Sequence, residues 1–238
     1  LIDKNWQDRP ISERVQALLL DESFTGESSR SKRQRIGMTI KRAGAEVALI
    51  SQLDSIAWLL NIRGSDVPRL PVLLAFATLE SNGDMALYTD PRKLPNEFSQ
   101  HVGDGVTVKA LEELKEALTV LGEAGSNILA DPLTANAWSQ LRCREAGANL
   151  ISKADPVLLP KAQKNEVELN GMRSCHIRDG SAVSRYLAWI EQEVTAGNLH
   201  DEGQLADQLE HFRRELSNIQ DLSFDTISAA GANGAMCH

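Results

Sequence analysis

The residue whose type and place most clearly suggest chemistry is His238, the last in the sequence. It follows a β-like run that Gly231 and Gly234 break into a turn. Glycine has no Cβ, so the backbone of such a turn can approach a ligand closely. Imidazole titrates near neutral pH and can donate or accept a proton in a reaction. The residues alone leave open an ordinary surface or core histidine.

A second candidate is Arg63, in the segment Arg63-Gly-Ser-Asp66. An arginine on a loop suits a peptide carboxylate or carbonyl, because the guanidinium presents several donors in a fixed plane. The simpler interpretation is an ion pair between Arg63 and Asp66 that shapes the turn. The sequence leaves both possibilities open.

No metal ligand is predicted in this chain. His176 and His211 fall in helical patterns without a second histidine or carboxylate in an HExxH arrangement. The three cysteines are widely spaced and match no zinc motif; they favour reduced thiols in a cytosolic protein.

Composition excludes several classes of protein. The net charge of −8 over 238 residues argues against nucleic-acid binding, which needs a basic face. No apolar run approaches the roughly 20 residues that span a bilayer. The start lacks an initiator Met and the regions of a signal peptide, which predicts the middle of a longer protein.

The basic cluster Arg30-Ser-Lys32-Arg33-Gln-Arg35 is predicted to be a solvated helix face.

The elements that must position these residues form two halves. In the first, a helical pattern from Ser28 ends at Gly44, and short apolar strands then alternate with amphipathic helices. Val72–Leu79 and Met85–Thr89 are predicted strands joined by a hairpin turn at 81–84. This alternation indicates an α/β domain with a mixed sheet. A proline-bearing linker, Asp155 to Pro160, marks its end.

The second half has a different pattern. One long helix is predicted from Asn165 to Val194, and Asp201 and Glu202 open another. Those two acidic residues are interpreted as a solvated face. A strand is predicted at Ser223–Ala229, just before the glycine turn. Two helices against a strand indicate an α+β layer.

Two blocks of sequence resemble a known family. "SFDTISAAGANGAMCH" and the helix beginning "LPKAQKNEVELNGMRSCH" resemble the start of the catalytic domain of Xaa-Pro aminopeptidases (aminopeptidase P), which are pita-bread metallopeptidases. "LDSIAWLLNIRGSDVPRLPV" resembles the second, noncatalytic domain of their long, three-domain form. The resemblance implies three segments: a connector from a missing first domain (1–24), a creatinase/prolidase N-terminal-like α/β domain (25–160), and the first part of the α+β pita-bread catalytic domain (161–238).

The resemblance also implies a function. Such enzymes release the N-terminal residue of peptides whose second residue is proline, and they use two divalent cations, Mn or Zn. Their ligands (two Asp, one His and two Glu) correspond to positions beyond His238, so none is assigned here. His238 is implied to contact substrate and assist proton movement without binding metal.

Further expectations come from the same resemblance. The complete enzyme is expected to be a cytoplasmic homodimer, while residues 1–238 alone are expected to bind no metal pair and to hydrolyse no peptide. Two alternatives stay open: a prolidase or creatinase relative, and a catalytically silent homologue that acts as a binding protein.

Overall fold

A computed structural model of the protein describes residues 5–8 and 14–235. The chain divides into two compact units, Leu1–Val167 and Glu168–His238. In chain order the first unit contains β1 (Leu18–Leu19), α1 (Glu22–Thr25), α2 (Ser29–Arg42), β2 (Val47–Ile50), α3 (Leu53–Leu60), β3 (Ile62–Arg63), β4 (Phe76–Glu80), β5 (Met85–Tyr88), α4 (Phe98–Val102), β6 (Val106–Lys109), α5 (Leu114–Glu123), β7 (Asn127–Ala130), α6 (Ala137–Ala146), β8 (Asn149–Ser152) and α7 (Leu158–Ala162). Helix α8 (Glu166–Ala196) begins at its end, and α9 (Glu202–Arg214) lies in the second unit.

Six strands of the first unit form a mixed sheet in the order β6-β5-β4-β2-β7-β8. The β4–β5 hairpin and the β2–β4 pair are antiparallel, whereas β2–β7, β7–β8 and β5–β6 are parallel. All four residues of β2 are buried, as expected for a strand with a neighbour on each side and helices packed on it. This sheet confirms the predicted α/β fold.

The continuous apolar run from Val72 to Leu79 is a strand only from Phe76 onward. Val72 and Leu73 are each 2% exposed, so they belong to the core although they lie outside the sheet. The apolar run therefore predicted correctly that these residues are buried, but it predicted wrongly that all of them belong to a strand. A buried coil and a buried strand have the same apolar composition, so composition does not distinguish them.

The basic cluster that opens α2 is not a solvated face. Lys32 is 1% and Arg33 2% exposed. The Lys32 ammonium donates to the Trp58 carbonyl at 3.2 Å and to Asn61 Oδ1 at 2.7 Å, and lies 4.3 Å from the centre of the Trp58 ring. Arg30 is exposed and the Arg35 side chain is partly exposed, so the prediction holds for these two basic residues and is wrong for Lys32 and Arg33.

Two buried carboxylates lie beyond the carboxyl ends of the parallel strands β7 and β8. Asp131 follows β7 directly and accepts from the Asp155 N–H at 2.8 Å, while Asp155 accepts from Ser55 Oγ at 2.7 Å and from the Val157 N–H at 2.8 Å. Burial raises the pKa of Asp155, and the charge of Asp131 adds to the effect. These contacts join the β7 and β8 ends to α3.

Asp155→Asn is expected to gain stability relative to wild type as the pH rises. Because the folded-state pKa is raised above the ordinary 3.8, the folded wild type holds its proton longer than the unfolded chain, and its stability falls as pH rises through that interval. The amide of the variant does not titrate, and it can still donate to Ser55 and accept from Val157. Urea unfolding of both proteins at pH 4 and pH 7 checks this. The exposed Asp104→Asn is the control, and a difference between the Asp155→Asn protein and wild type that is independent of pH would contradict the prediction.

Helix α8 presents a long apolar row to its surroundings. Of its residues only Ala182 is fully buried, whereas Ile177 is 76%, Leu187 60% and Val194 63% exposed. In the part of the chain that the structure describes, no helix combines the length and the apolar character needed to cross a bilayer.

Candidate functional site

The segment that leads to His238 follows α9. Its predicted strand, Ser223–Ala229, is wrong: these residues form no strand, and a 3-10 helix at Gly231–Ala235 follows them. A strand exists only when a neighbouring strand takes its hydrogen bonds, and none of the described residues of the second unit forms one. His238 itself lies outside the described residues, so its predicted role stays a prediction.

One carboxylate holds this segment to α9. Glu202 Oε1 accepts from the Ala230 N–H at 2.6 Å and from the Asn233 side-chain amide at 3.1 Å. Its Oε2 accepts from the same amide at 3.0 Å. Gly231, at φ +56, turns the chain through the left-handed region immediately after the anchored Ala230. The glycine turn thus has a defined attachment.

The start of α9 fixes the position of that carboxylate. Asp201 caps the helix by accepting from the Gln204 N–H at 2.8 Å, and Gln204 Oε1 accepts from the Asp201 N–H at 3.1 Å. This reciprocal capping box satisfies two donors that a helix start otherwise leaves unpaired. Glu202 is therefore the first residue of a helix with a well-defined beginning.

Sequence reasoning missed Glu202, which it interpreted as part of a solvated face. Its partners are 28 and 31 residues further along the chain. No local pattern identifies such a contact. The available signal was indirect: an acidic residue at a helix start and an asparagine in a glycine-rich turn within the same half of the sequence.

Arg63 lies in β3, opposite Leu18 of β1, and is half-buried. Its guanidinium donates to the Ile62 carbonyl at 2.8 Å. Asp66 is held by Lys93 at 2.5 Å and by the Leu74 N–H at 2.7 Å, and the alternative that Arg63 forms an ion pair with Asp66 stays a prediction. The turn is shaped by that buried pair, and a substrate-binding role for Arg63 stays a prediction.

The described histidines contact groups of the protein itself. A ring nitrogen of His101 lies 3.0 Å from the Asn61 carbonyl, and one of His176 lies 2.8 Å from the Met172 carbonyl. A ring nitrogen of His200 lies 2.7 Å from the Glu193 carboxylate, and one of His211 lies 3.0 Å from the Glu215 carboxylate. Among residues 5–8 and 14–235, no three His, Cys, Asp or Glu side chains are grouped so that they could hold a metal ion. The described residues do not fit a metal centre, and no catalytic step through a metal is assigned to them.

Comparison with known proteins identifies the family. Residues 8–168 match the model described as the creatinase/prolidase N-terminal domain. The chain belongs to this family. Residues 170–238 match a second model, metallopeptidase family M24. The creatinase/prolidase N-terminal match covers the mixed sheet of the first unit, and the M24 match covers α9 and the glycine turn.

Curated relatives extend the creatinase/prolidase assignment. The chain is 38% identical over 246 residues to a probable Xaa-Pro aminopeptidase P of Leptosphaeria maculans, covering 100% of this chain and 40% of that protein. It is 35% identical over 238 residues to Xaa-Pro aminopeptidase 1 of Dictyostelium discoideum, covering 99% and 37%. The chain thus spans about two fifths of the length of these relatives, and the resemblance predicted from the sequence is confirmed.

A solved structure supports the same relationship. An X-prolyl aminopeptidase of Caenorhabditis elegans, described as a cytosolic enzyme with a di-nuclear active site, superposes with a TM-score of 0.87 at 29% identity. The alignment covers 96% of this chain and 38% of that one. This structural alignment and the alignments with the two curated relatives all run through the creatinase/prolidase N-terminal domain into the following segment.

Proposed function

We propose that this chain is part of a Xaa-Pro aminopeptidase, a metal-dependent exopeptidase that releases the N-terminal residue of peptides with proline in second place. The observation that carries the proposal is that the relatives named Xaa-Pro aminopeptidase align with 99–100% of the chain, across both units. The M24 match over residues 170–238 supports a metallopeptidase.

In this proposal His238 contacts the substrate and moves a proton, and Arg63 binds substrate. The glycine turn supports the role of His238, because an attached turn without Cβ atoms at Gly231 and Gly234 gives close access to a ligand. Arg63 is only half-buried on β3, which supports contact with a ligand. Both roles depend on the family resemblance.

The proposed cofactor is a pair of divalent cations, Mn or Zn. The di-nuclear site named for the Caenorhabditis elegans enzyme supports two metals. When bound, such a pair supplies an activated water and stabilises developing negative charge. The described residues provide no three-ligand group for it, so we place the ligands outside them.

The proposed setting is a cytoplasmic homodimer acting on peptides. The cytosolic description of the Caenorhabditis elegans enzyme supports the location. We propose that residues 1–24 connect to another domain, that 25–160 form the noncatalytic domain and that 161–238 begin the catalytic one.

Peptide hydrolysis tests the function. The full-length gene product that contains this chain, loaded with Mn²⁺, is expected to release Arg from Arg-Pro-Pro and not from Arg-Ala-Pro. Purified residues 1–238 are expected to release none under the same conditions. Chromatographic measurement of free arginine decides both points.

Each contrary result has a definite meaning. Turnover by residues 1–238 at the full-length rate would show that the metal ligands are within this chain. Equal cleavage of both peptides would contradict the proline requirement. A full-length product that binds Arg-Pro-Pro and does not cleave it with Mn²⁺ or Zn²⁺ would favour a catalytically silent binding protein, and preference for the dipeptide Arg-Pro would favour a prolidase relative.

A further inference from the structure

The Glu202 carboxylate attaches the glycine turn to α9. Residues 229–235 are all exposed, and the segment before them forms no strand. Against this background the three hydrogen bonds to Glu202 stand out, since they use both carboxylate oxygens and reach one backbone N–H and one side-chain amide. Hydrogen bonds to an ionised carboxylate are roughly twice as strong as neutral ones.

A simpler role for Glu202 is that of an acidic residue at a helix N-terminus. There a negative charge stabilises the helix through its dipole, and any orientation of the side chain serves. The capping of α9, however, is completed by Asp201 and Gln204 without Glu202. The Glu202 carboxylate is directed instead to residues 28 and 31 positions away.

We propose that Glu202 is a positioning residue for catalysis: it fixes the Ala230–Asn233 turn, from which the chain continues to His238. This inference rests on the proposed function. It makes α9 the rigid support of the segment and Glu202 the connection between them. A displacement of about 1 Å at a reacting group can reduce turnover about 100-fold. Loss of the hydrogen bonds to Glu202 should therefore lower the turnover rate, although Glu202 itself touches no substrate.

Hydrogen exchange tests the anchor without any need for activity. In residues 1–238, Glu202→Ala is expected to accelerate exchange of the Ala230 amide at least about 10-fold, consistent with the loss of one charge-assisted hydrogen bond. Amides within α9 should keep their exchange rates, because its capping box is untouched. Glu210→Gln, which removes an ion pair with Arg214 on the same helix, is the matched control and should leave Ala230 unchanged. Unchanged exchange at Ala230 in the Glu202→Ala protein would overturn the inference.

Kinetics of the full-length enzyme test the positioning role. Glu202→Ala is expected to lower kcat by about 10- to 100-fold with KM changed less than about threefold, and Glu202→Gln, which keeps the shape and one acceptor, should recover part of the loss. If hydrogen exchange shows that the Glu202→Ala enzyme has lost the anchor, but its kcat equals that of wild type, the positioning role is overturned. An inactive wild type would instead overturn the proposed function, while the exchange result would still decide whether the anchor exists.

Discussion

Arg33→Ala is expected to lower the free energy of unfolding of the first unit by about 4 kcal/mol. Arg33 is 2% exposed, and its Nη1 donates to the Gly83 carbonyl at 2.7 Å. Its Nη2 donates to the carbonyls of Val102 at 3.0 Å and Asp104 at 2.8 Å. Each buried carbonyl left without a partner costs about 1–3 kcal/mol, and the vacated volume adds a cavity term.

The partners of Arg33 explain why one side chain carries so much stability. They come from the β4–β5 turn, from the last residue of α4 and from the loop that follows it before β6. Burial lowers the pKa of Arg33, and the nearby charge of Asp84 opposes that effect. The guanidinium stays charged, because an arginine pKa begins far above neutral pH. It therefore cross-links two loops through carbonyl oxygens.

Urea unfolding followed by circular dichroism measures the loss. Arg42→Ala, on the exposed end of the same helix, is the control and should change stability by less than about 0.5 kcal/mol. Arg33→Lys should recover little, since one ammonium cannot reproduce a planar fork that reaches several carbonyls. A loss below about 1 kcal/mol in the Arg33→Ala protein would show that water replaces the guanidinium at the carbonyls.

The sequence contained part of the information on this cluster. Lys32, Ile36 and Ile40 are four residues apart and share one face of α2, and both isoleucines are buried. The helical spacing thus places Lys32 toward the core as well. The positive charge of Lys32 predicted an exposed side chain. Helical spacing predicts burial better than charge does where oxygen acceptors surround the charged group. The partners of Lys32 lie 26 and 29 residues away in the sequence, and those of Arg33 lie 50 to 72 residues away.

The same distinction explains which elements were predictable. The hairpin turn at 81–84 was predicted correctly, because its signal lies in four adjacent residues and its strands pair with each other. The strand at Ser223–Ala229 was wrong, because its alternation gave the pattern of a strand but no partner. Glu202 and the Asp66–Lys93 pair were missed for a related reason, since each joins segments far apart in sequence. Local periodicity identifies elements, and long-range polar contacts require the fold.

His238→Ala is expected to reduce kcat of the full-length enzyme by about 10²- to 10⁴-fold, the usual contribution of a positioned proton donor or acceptor. In the proposal, His238 contacts the substrate and transfers a proton, and it does not bind metal. The variant should therefore keep the metal content of the wild type, as measured by elemental analysis of the purified proteins.

Metal content separates this role from the alternative that His238 is a ligand. His176→Ala provides the matched control, because that imidazole is exposed on α8 and contacts only the Met172 carbonyl among the partners described for it; kcat should change less than about twofold. If the His238→Ala enzyme loses metal together with activity, His238 binds the cation and its proposed role is wrong. If metal is retained and kcat falls, the proton-handling role stands, since the chemistry fails while the cofactor stays in place.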